Sequence, residues 1–250
     1  MKTEWDYTEL AQAYLKRPDY SSAAIGALMR ICGLTKTSRV CDVGAGVAHL
    51  TLMLASYGMD VTAVEPNDEM RKYGSQRTRT FTNIKWSEGV GEATGQAADQ
   101  FNAVTFGSSF NVTDRSATLK EVRRILKPGG WFACMWNHRD LNDPLQQRIE
   151  ATIKAALPGY NYGARREDQR PVIEESGLFG DVVYLEGRIT HKHPLDDCIE
   201  AWRSHGTLQR QAGANFDSVV DSIASCLAMA GKSEIRIPYV TRVWAAPALK

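Results

Sequence analysis

Apolar residues along the chain switch repeatedly between the two-residue repeat of a strand and the longer repeat of an amphipathic helix. Strand-like stretches between residues 38 and 136 are SRVCDV, DVTAVEP, NIKWSE, FNAVTFGS and GGWFACMW, and the helix-like stretches AHLTLMLASYG, DEMRKYGSQR and SATLKEVRRIL separate most of them. Two later stretches, DVVYLEGRITHKH and SEIRIPYVTRVWAA, bring the strands to seven, and Pro238 in the last favours an edge position or a bulge. Strands that alternate with helices predict an α/β fold around a mostly parallel sheet.

The pattern is less regular outside these strands. Residues from about 7 to 32 have the spacing of an amphipathic helical segment, which Pro18 interrupts. Residues from about 139 to 166 and from about 195 to 231 interrupt the alternation, and we expect them to form a helical cap, the second as two helices around HGTLQRQAGANF. One domain over residues 1–250 accounts for this arrangement.

The charge balance limits the kind of partner. The chain has 30 Lys and Arg against 29 Asp and Glu, a net charge of +1. Such a chain has no excess of positive charge with which to bind nucleic acid or an anionic membrane surface. This balance favours a small-molecule partner. The N-terminal twenty residues mix charged with apolar positions, and no run of eighteen apolar residues follows, so we expect a cytoplasmic protein.

Cysteine and histidine spacing indicates no metal site. The five cysteines are far apart and form no C-x-x-C pair, so we expect them to be reduced and structural. His191 and His193 lie two apart on a predicted strand and therefore share a face, but no third ligand is evident. An exposed strand face accounts for both histidines.

A glycine turn lies between the first predicted strand and the first helix that follows it. Gly44 and Gly46 form a G-x-G pattern, a place where backbone N–H groups converge on part of a nucleotide. Glu65 ends the next strand nineteen positions after Gly46, close to the spacing of about 20 residues that puts an acid on ribose hydroxyls. Asp42 precedes the turn and is a poor neighbour for a pyrophosphate, so the ligand is expected to carry positive charge. An adenosine with a cationic amino-acid tail, S-adenosylmethionine, fits these residues better than a dinucleotide.

Five motifs resemble those of the class I S-adenosylmethionine-dependent methyltransferases, in the small-molecule branch: VCDVGAGVAHLT, VTAVEPNDEM, EGVGEATG, FNAVTFGSSFNV and EVRRILKPGGWFACMWN. The resemblance implies a Rossmann-like, mostly parallel seven-stranded sheet flanked by helices, with an antiparallel C-terminal strand. It places cofactor-binding residues at Asp42, Gly44, Ala45, Gly46, Glu65, Pro66, Met70, Val90, Gly91, Phe106, Gly107 and Ser108. In the family the first four hold the methionine portion, Glu65 holds the ribose, the next four surround the adenine, and the last three line the sulfonium side. Where Val90 stands, relatives usually have a polar residue, so no side-chain bond to the adenine amino group is expected from it.

Candidate catalytic residues follow the fifth strand and occur in the expected cap. Asn137, His138 and Asp140 should emerge at the carboxyl edge of the sheet, where open α/β folds bind ligands. His138 is a candidate general base or a surface loop histidine, and Asn137 could orient a ligand or satisfy loop backbone. His205 is a candidate in the cap, where nearby side chains suit a planar or anionic substrate or, equally, a solvated lid: Tyr160, Tyr162, Arg165, Arg166, Arg203 and Arg210.

The leading functional hypothesis is transfer of the sulfonium methyl group to oxygen, nitrogen or carbon of a small acceptor. The alternative is attack on the γ-carbon of the cofactor, which would give azetidine-2-carboxylate by cyclisation, or aminocarboxypropyl transfer, and would release methylthioadenosine. An NAD-dependent oxidoreductase is disfavoured by Asp42, by the missing third glycine and by the expected C-terminal edge strand. A binding subunit without activity stays open, as does the choice between monomer and homodimer.

Overall fold

A computed structural model describes residues 6–249 and contains one seven-stranded sheet. The strands are β1 Arg39–Val43, β2 Asp60–Val64, β3 Ile84–Ser87, β4 Phe101–Gly107, β5 Leu126–Arg139, β6 Val183–Pro194 and β7 Glu234–Pro247. Their order across the sheet is β3-β2-β1-β4-β5-β7-β6, with β7 antiparallel to both of its neighbours and the pairs from β3 to β5 parallel. The expected Rossmann-like, mostly parallel sheet with an antiparallel C-terminal strand is confirmed.

The expected edge position of the last strand is wrong. β7 lies between β5 and β6, and only β3 and β6 are edges. The pairing of β5 with β7 ends at Arg139 and Tyr239, one residue before β7 reaches Pro238 from that side. Pro238 therefore pairs only with Thr190 of β6, which is why a proline is tolerated here. Its carbonyl accepts the backbone N–H of Asp140 at 2.9 Å. The missing proline N–H therefore costs no bond to a second strand.

Helices cover both faces of the sheet and its C-terminal side. They are α1 Ala11–Tyr14, α2 Ser22–Ile31, α3 His49–Ser56, α4 Asp68–Thr78, α5 Arg115–Ile125, α6 Pro144–Ala156, α7 Arg170–Glu175, α8 Leu195–Arg203, α9 Gly206–Ala212 and α10 Phe216–Ala228. Side chains at the starts of these helices accept backbone N–H groups that have no partner within the helix: Asn67 caps α4, Asp114 caps α5 and Asp143 caps α6. No helix within residues 6–249 is both long and apolar enough to cross a bilayer.

Three apolar clusters stabilise this arrangement. One face of the sheet packs around the aromatic rings of Phe106, Phe110 and Phe132, and the opposite face packs against α2 and α3. The third cluster belongs to α6, α8, α9 and α10, which pack with one another and with the start of β7 around residues such as Trp202 and Ile223. The segments that interrupt the β-α alternation therefore form a helical layer, which packs around this third cluster.

The second cap segment contains three α-helices where the sequence predicted two. The stretch expected to be a connection, HGTLQRQAGANF, itself forms α9, because His205 accepts the backbone N–H of Leu208 and so caps the helix start. A histidine is an unusual cap, and this is why the pattern of residue types did not predict the helix.

Candidate active site

A cavity of about 750 Å³ opens at the carboxyl ends of β1, β2 and β4, the edge at which parallel α/β sheets bind ligands. Its wall includes every residue predicted to bind the cofactor: Asp42, Gly44, Ala45, Gly46, Glu65, Pro66, Met70, Val90, Gly91, Phe106, Gly107 and Ser108. A cavity of this size lies within the range of about 300–1,000 Å³ typical of small-molecule sites.

The glycine turn after β1 has a backbone that favours glycine. Gly44 has a φ of 66° and Gly46 a φ of 55°, both in the left-handed region. The N–H groups of Gly44 and Ala45 donate to the carbonyl of Val64, so the turn is held against the end of β2. A Cβ built on Gly44 would lie 2.4 Å from the Cβ of Ser109, so a larger residue there meets the protein's own wall.

Glu65 is buried at the end of β2 and faces this turn. Its Oε2 accepts the N–H of Gly46 at 2.8 Å, and its Oε1 accepts the N–H of Asn67 at 2.9 Å. Burial raises the pKa of Glu65, and these two backbone bonds act in the opposite direction. Each carboxylate oxygen retains a second acceptor site, so the orientation leaves capacity for two ribose hydroxyls.

Asp42 is buried on β1 beneath the turn. Thr51 Oγ1 donates to its Oδ2 at 2.6 Å, and Thr105 Oγ1 donates to its Oδ1 at 3.0 Å. Burial raises the pKa of Asp42 to about 7, an effect that the two threonine hydroxyls reduce. A cation bound beside Asp42 would favour the ionised carboxylate, which suits the ammonium of an amino-acid tail.

The end of β4 has a constrained backbone. Ser108, a residue with a side chain, has a φ of 64°, and its Oγ lies 3.0 Å from the hydroxyl of Tyr20. A Cβ on the neighbouring Gly107 would lie 2.9 Å from that same hydroxyl. Positive φ in a residue other than glycine is strained and is often found at ligand sites.

The wall around Val90 and Gly91, predicted to face the adenine, is formed largely by backbone. Val90 and Ala93 exchange N–H to carbonyl bonds of 3.2 Å and so close a tight loop. A Cβ on Gly91 would approach the side chains of Thr113 and Thr118 within 3 Å, so a larger residue would force these threonines to shift. Glu92 accepts the N–H of Asp114 at 2.6 Å, which joins this loop to the start of α5.

The four candidate catalytic residues divide into two pairs. Asn137 and His205 line the cavity, and His138 and Asp140 do not. β5 continues to Arg139 instead of giving way to a loop, so alternation turns His138 to the face opposite Asn137. Burial and nearby arginines lower the pKa of His138 to about 2, far from the neutral value expected of a general base. The carboxylate of Asp140 accepts from Asn142 and pairs with Arg188 at 3.3 Å.

Asn137 connects the N-terminal segment to the sheet. Its Nδ2 donates to the carbonyl of Asp19 at 2.8 Å, and its Oδ1 accepts from the hydroxyl of Thr241. The backbone N–H of Ser21 donates in turn to that hydroxyl at 2.8 Å. The amide is therefore occupied with holding residues 19–21 beside the cavity, in keeping with the second of its two expected roles.

The N-terminal segment supplies a wall that the sequence did not predict. Its cavity-lining residues are Tyr7, Tyr14, Arg17, Pro18 and Tyr20. His49 at the start of α3 holds this segment in place, with its Nδ1 2.9 Å from a carboxylate oxygen of Asp19 and its Nε2 2.9 Å from the carbonyl of Tyr14. The high density of tyrosine and charge in WDYTELAQAYLKRPDY was the available signal.

The far end of the cavity is lined by cap residues. Arg139, Arg165 and His205 meet there, with Tyr239 of β7 beside them. Arg166, expected with Arg165, lies outside the wall; its guanidinium stacks on the ring of Tyr162 at 4.0 Å. Within residues 6–249 no group of three or more histidine, cysteine or acidic side chains is arranged to hold a metal ion.

The strand order, the glycine turn after β1 and the acidic residue at the end of β2 are similar to those of the class I S-adenosylmethionine-dependent methyltransferases, which use S-adenosylmethionine as their cofactor. Residues 41–134 match the family described as a methyltransferase domain. This match includes the last three residues of β1, all of β2 to β4 and most of β5, the part of the chain that forms the glycine turn and carries Glu65.

Two relatives and one solved structure illustrate the similarity. The chain is 27% identical over 154 residues to demethylmenaquinone methyltransferase of Staphylococcus saprophyticus, which covers 60% of this chain and 66% of that protein. It is 32% identical over 125 residues to an uncharacterised methyltransferase of Mycobacterium bovis, covering 50% of this chain and 48% of that protein. Phosphoethanolamine N-methyltransferase 2 of Haemonchus contortus, solved in complex with S-adenosyl-L-methionine, shares the fold with a TM-score of 0.57 and 14% identity, covering 100% of this chain and 59% of that one. The chain thus spans between about half and two thirds of the length of these curated relatives.

Proposed function

We propose that the protein transfers a methyl group from S-adenosylmethionine to a small-molecule acceptor. The proposal rests on one observation about the cavity. The residues predicted to hold the cofactor and two residues of the cap, Arg165 and His205, line the same continuous space. The acidic end around Asp42 and Glu65 suits the adenosine and ammonium of the cofactor. The cap end is a separate wall, available to a second molecule.

The chemistry requires alignment more than a reactive side chain. S-adenosylmethionine supplies an electrophilic methyl group, which the acceptor atom receives while the electron pair of the methyl–sulfur bond stays on sulfur and the acceptor loses a proton. The protein holds the two reactants in line and excludes water. Tyr14 and Tyr20 on the N-terminal wall, together with the cap, supply that enclosure.

His205 suits a positioning role better than that of a base. Its Nδ1 accepts the N–H of Leu208 at 3.2 Å, so a neutral ring carries its proton on Nε2 and offers a donor to the cavity. Burial and three neighbouring arginines lower the pKa of His205 well below its usual value, which keeps the ring neutral. A ring fixed in this way can donate to an acceptor oxygen.

Transfer of isotopic label tests the proposal. The protein is incubated with S-adenosylmethionine carrying a trideuteromethyl group and with a small-molecule extract from which macromolecules have been removed. We expect a new compound, heavier than an extract component by one trideuteromethyl group, together with S-adenosylhomocysteine. The proposal fails if folded, cofactor-binding protein leaves the label entirely in the cofactor across extracts from diverse bacteria.

A further inference from the structure

Three arginines surround the turn between α8 and α9 and line the cap end of the cavity; we call Arg17, Arg139 and Arg165 the arginine cluster. Arg17 donates through Nε to Ser204 Oγ at 2.8 Å and through Nη2 to the Ser204 carbonyl at 2.7 Å. Arg139 stacks on the ring of Trp202 at 3.7 Å. Arg165 Nη1 lies 3.3 Å from His205 Nε2. Residues 202–205 thus contact three arginines that come from three distant parts of the chain.

These cations have no carboxylate partner among the residues that the structure describes, 6–249. Arg203, the last residue of α8 and outside the cavity, shows the contrast, because it lies within 4.0 Å of Glu200, Asp217 and Asp221. The Nε atoms of Arg139 and Arg165 are buried and have no hydrogen-bond acceptor. Stacking on an aromatic ring occupies the face of a guanidinium group. Its N–H groups remain available to donate hydrogen bonds to a ligand.

The contact between Arg165 and His205 joins two donors. Since His205 Nδ1 accepts from the backbone, its Nε2 carries the proton, and Arg165 Nη1 is always a donor. Two donors 3.3 Å apart do not bond to each other, but they can share the oxygen of a third group. An oxygen of a carboxylate or phosphate group can accept from both.

The cofactor alone does not balance this charge. S-adenosylmethionine carries two positive groups and one carboxylate, and that single carboxylate can meet only part of the arginine cluster. The acidic residues of the wall lie elsewhere: Asp42 and Glu65 at the glycine turn, and Glu92 and Asp114 beside the adenine side. Cofactor binding leaves the cap end cationic, and a second anion would stabilise it.

We propose that the arginine cluster, with the Nε2–H of His205, binds an anionic group, carboxylate or phosphate, on the methyl acceptor. The inference rests on the proposed function, because it assigns the acceptor to the cap end of a cavity that also holds the cofactor. It defines the substrate class as small acids or phosphate esters. A neutral acceptor would add no anionic partner to these three guanidinium groups.

Calorimetry with defined probes tests the proposal on the full chain. S-adenosylhomocysteine and methylthioadenosine are titrated first; only the former carries an amino-acid carboxylate. Protein saturated with S-adenosylhomocysteine is then titrated with benzoate, phenyl phosphate and neutral benzamide. We expect one or both anions to bind at least about tenfold more tightly than benzamide, and their order distinguishes a carboxylate from a phosphate site.

Substitutions assign the binding to the cluster. Arg165→Gln and Arg139→Gln should each weaken the preferred anion by about tenfold or more, and Arg165→Lys should retain part of the affinity because it keeps the charge without the planar fork. Arg203→Gln removes the same charge one residue from Ser204 and should leave anion binding unchanged. Circular dichroism confirms that each variant is folded.

Two results would overturn the proposal. One is equal affinity of wild-type protein for benzamide and for both anions, or no measurable binding of either anion. The other is weaker binding of S-adenosylhomocysteine, with methylthioadenosine unaffected, in cluster variants that bind the anions normally, since the arginines would then serve the cofactor's carboxylate. Failure of the proposed function is a separate outcome, seen as no binding of S-adenosylhomocysteine to wild-type protein.

Discussion

Replacement of Glu65 by alanine should remove the recognition of the ribose, but it also disturbs the protein itself. The carboxylate accepts the backbone N–H groups of Gly46 and Asn67, so Glu65→Ala leaves two donors without their acceptor. Each such loss costs about 1–3 kcal/mol when water does not replace the acceptor. A direct comparison of affinities would therefore overstate the contact with the ligand.

A double-mutant cycle isolates that contact. S-adenosylhomocysteine and its 2′,3′-dideoxy derivative are titrated into wild-type protein and into Glu65→Ala by calorimetry at pH 8, because burial raises the pKa of Glu65 and an alkaline pH favours the ionised carboxylate. Two hydrogen bonds from the ribose to a charged acceptor should give a coupling of about 1.5–3 kcal/mol, a factor of about 10 to 150 in Kd.

The cycle has a clear refuting result. If loss of the ribose hydroxyls weakens binding equally in both proteins, Glu65 does not contact the ribose, whatever the effect of the substitution on overall affinity. Thermal unfolding of the two free proteins serves as the control, because it measures the cost of the lost backbone bonds separately.

Three further predictions concern other parts of the site. Affinity for S-adenosylhomocysteine should fall about tenfold from pH 8 to pH 6, because free Asp42, with its pKa raised to about 7, takes up a proton in this range that the ligand ammonium disfavours; calorimetry should show that Asp42→Asn removes most of this dependence. Gly44→Ala should lower the free energy of unfolding by about 2–5 kcal/mol, because the new Cβ meets Ser109 and φ is positive; Ser109→Gly should restore part of it in urea titrations, and an unchanged urea midpoint would contradict the reasoning. Residues 139–166 and 195–231 should exchange amide hydrogen more slowly with cofactor and acceptor analogue bound, and equal exchange in all states would count against a closing cap.

The sheet and the cofactor residues could be predicted because their signals are local. Alternation of strand and helix patterns identified the parallel strands, and the interval between Gly46 and Glu65 reflects one β-α-β unit, whose length the fold itself sets. The position of β7 could not be predicted in this way, since strand order depends on partners distant in sequence. Pro238 suggested an edge, and only the pairing shows that β5 has already ended there.

The residues that line the cap end of the cavity could not be predicted fully, because the direction of a side chain depends on where its strand ends. The sequence pattern ended the fifth strand at Trp136, whereas β5 continues to Arg139, so alternation points Asn137 and Arg139 to the cavity and His138 away from it. Arg17 was missed for a different reason. Its place in the wall depends on contacts with Ser204, 187 positions away, and no local pattern reports such a contact.

The identity of the nucleoside released from S-adenosylmethionine tests the central claim most directly. Purified protein is incubated with the cofactor, alone and with the extract fraction that accepts label, and the products are identified by mass. Methyl transfer predicts S-adenosylhomocysteine, formed only when the acceptor is present and lost in Glu65→Ala. Release of methylthioadenosine by the protein with cofactor alone would contradict the account, since the γ-carbon and not the methyl group would then be the point of attack.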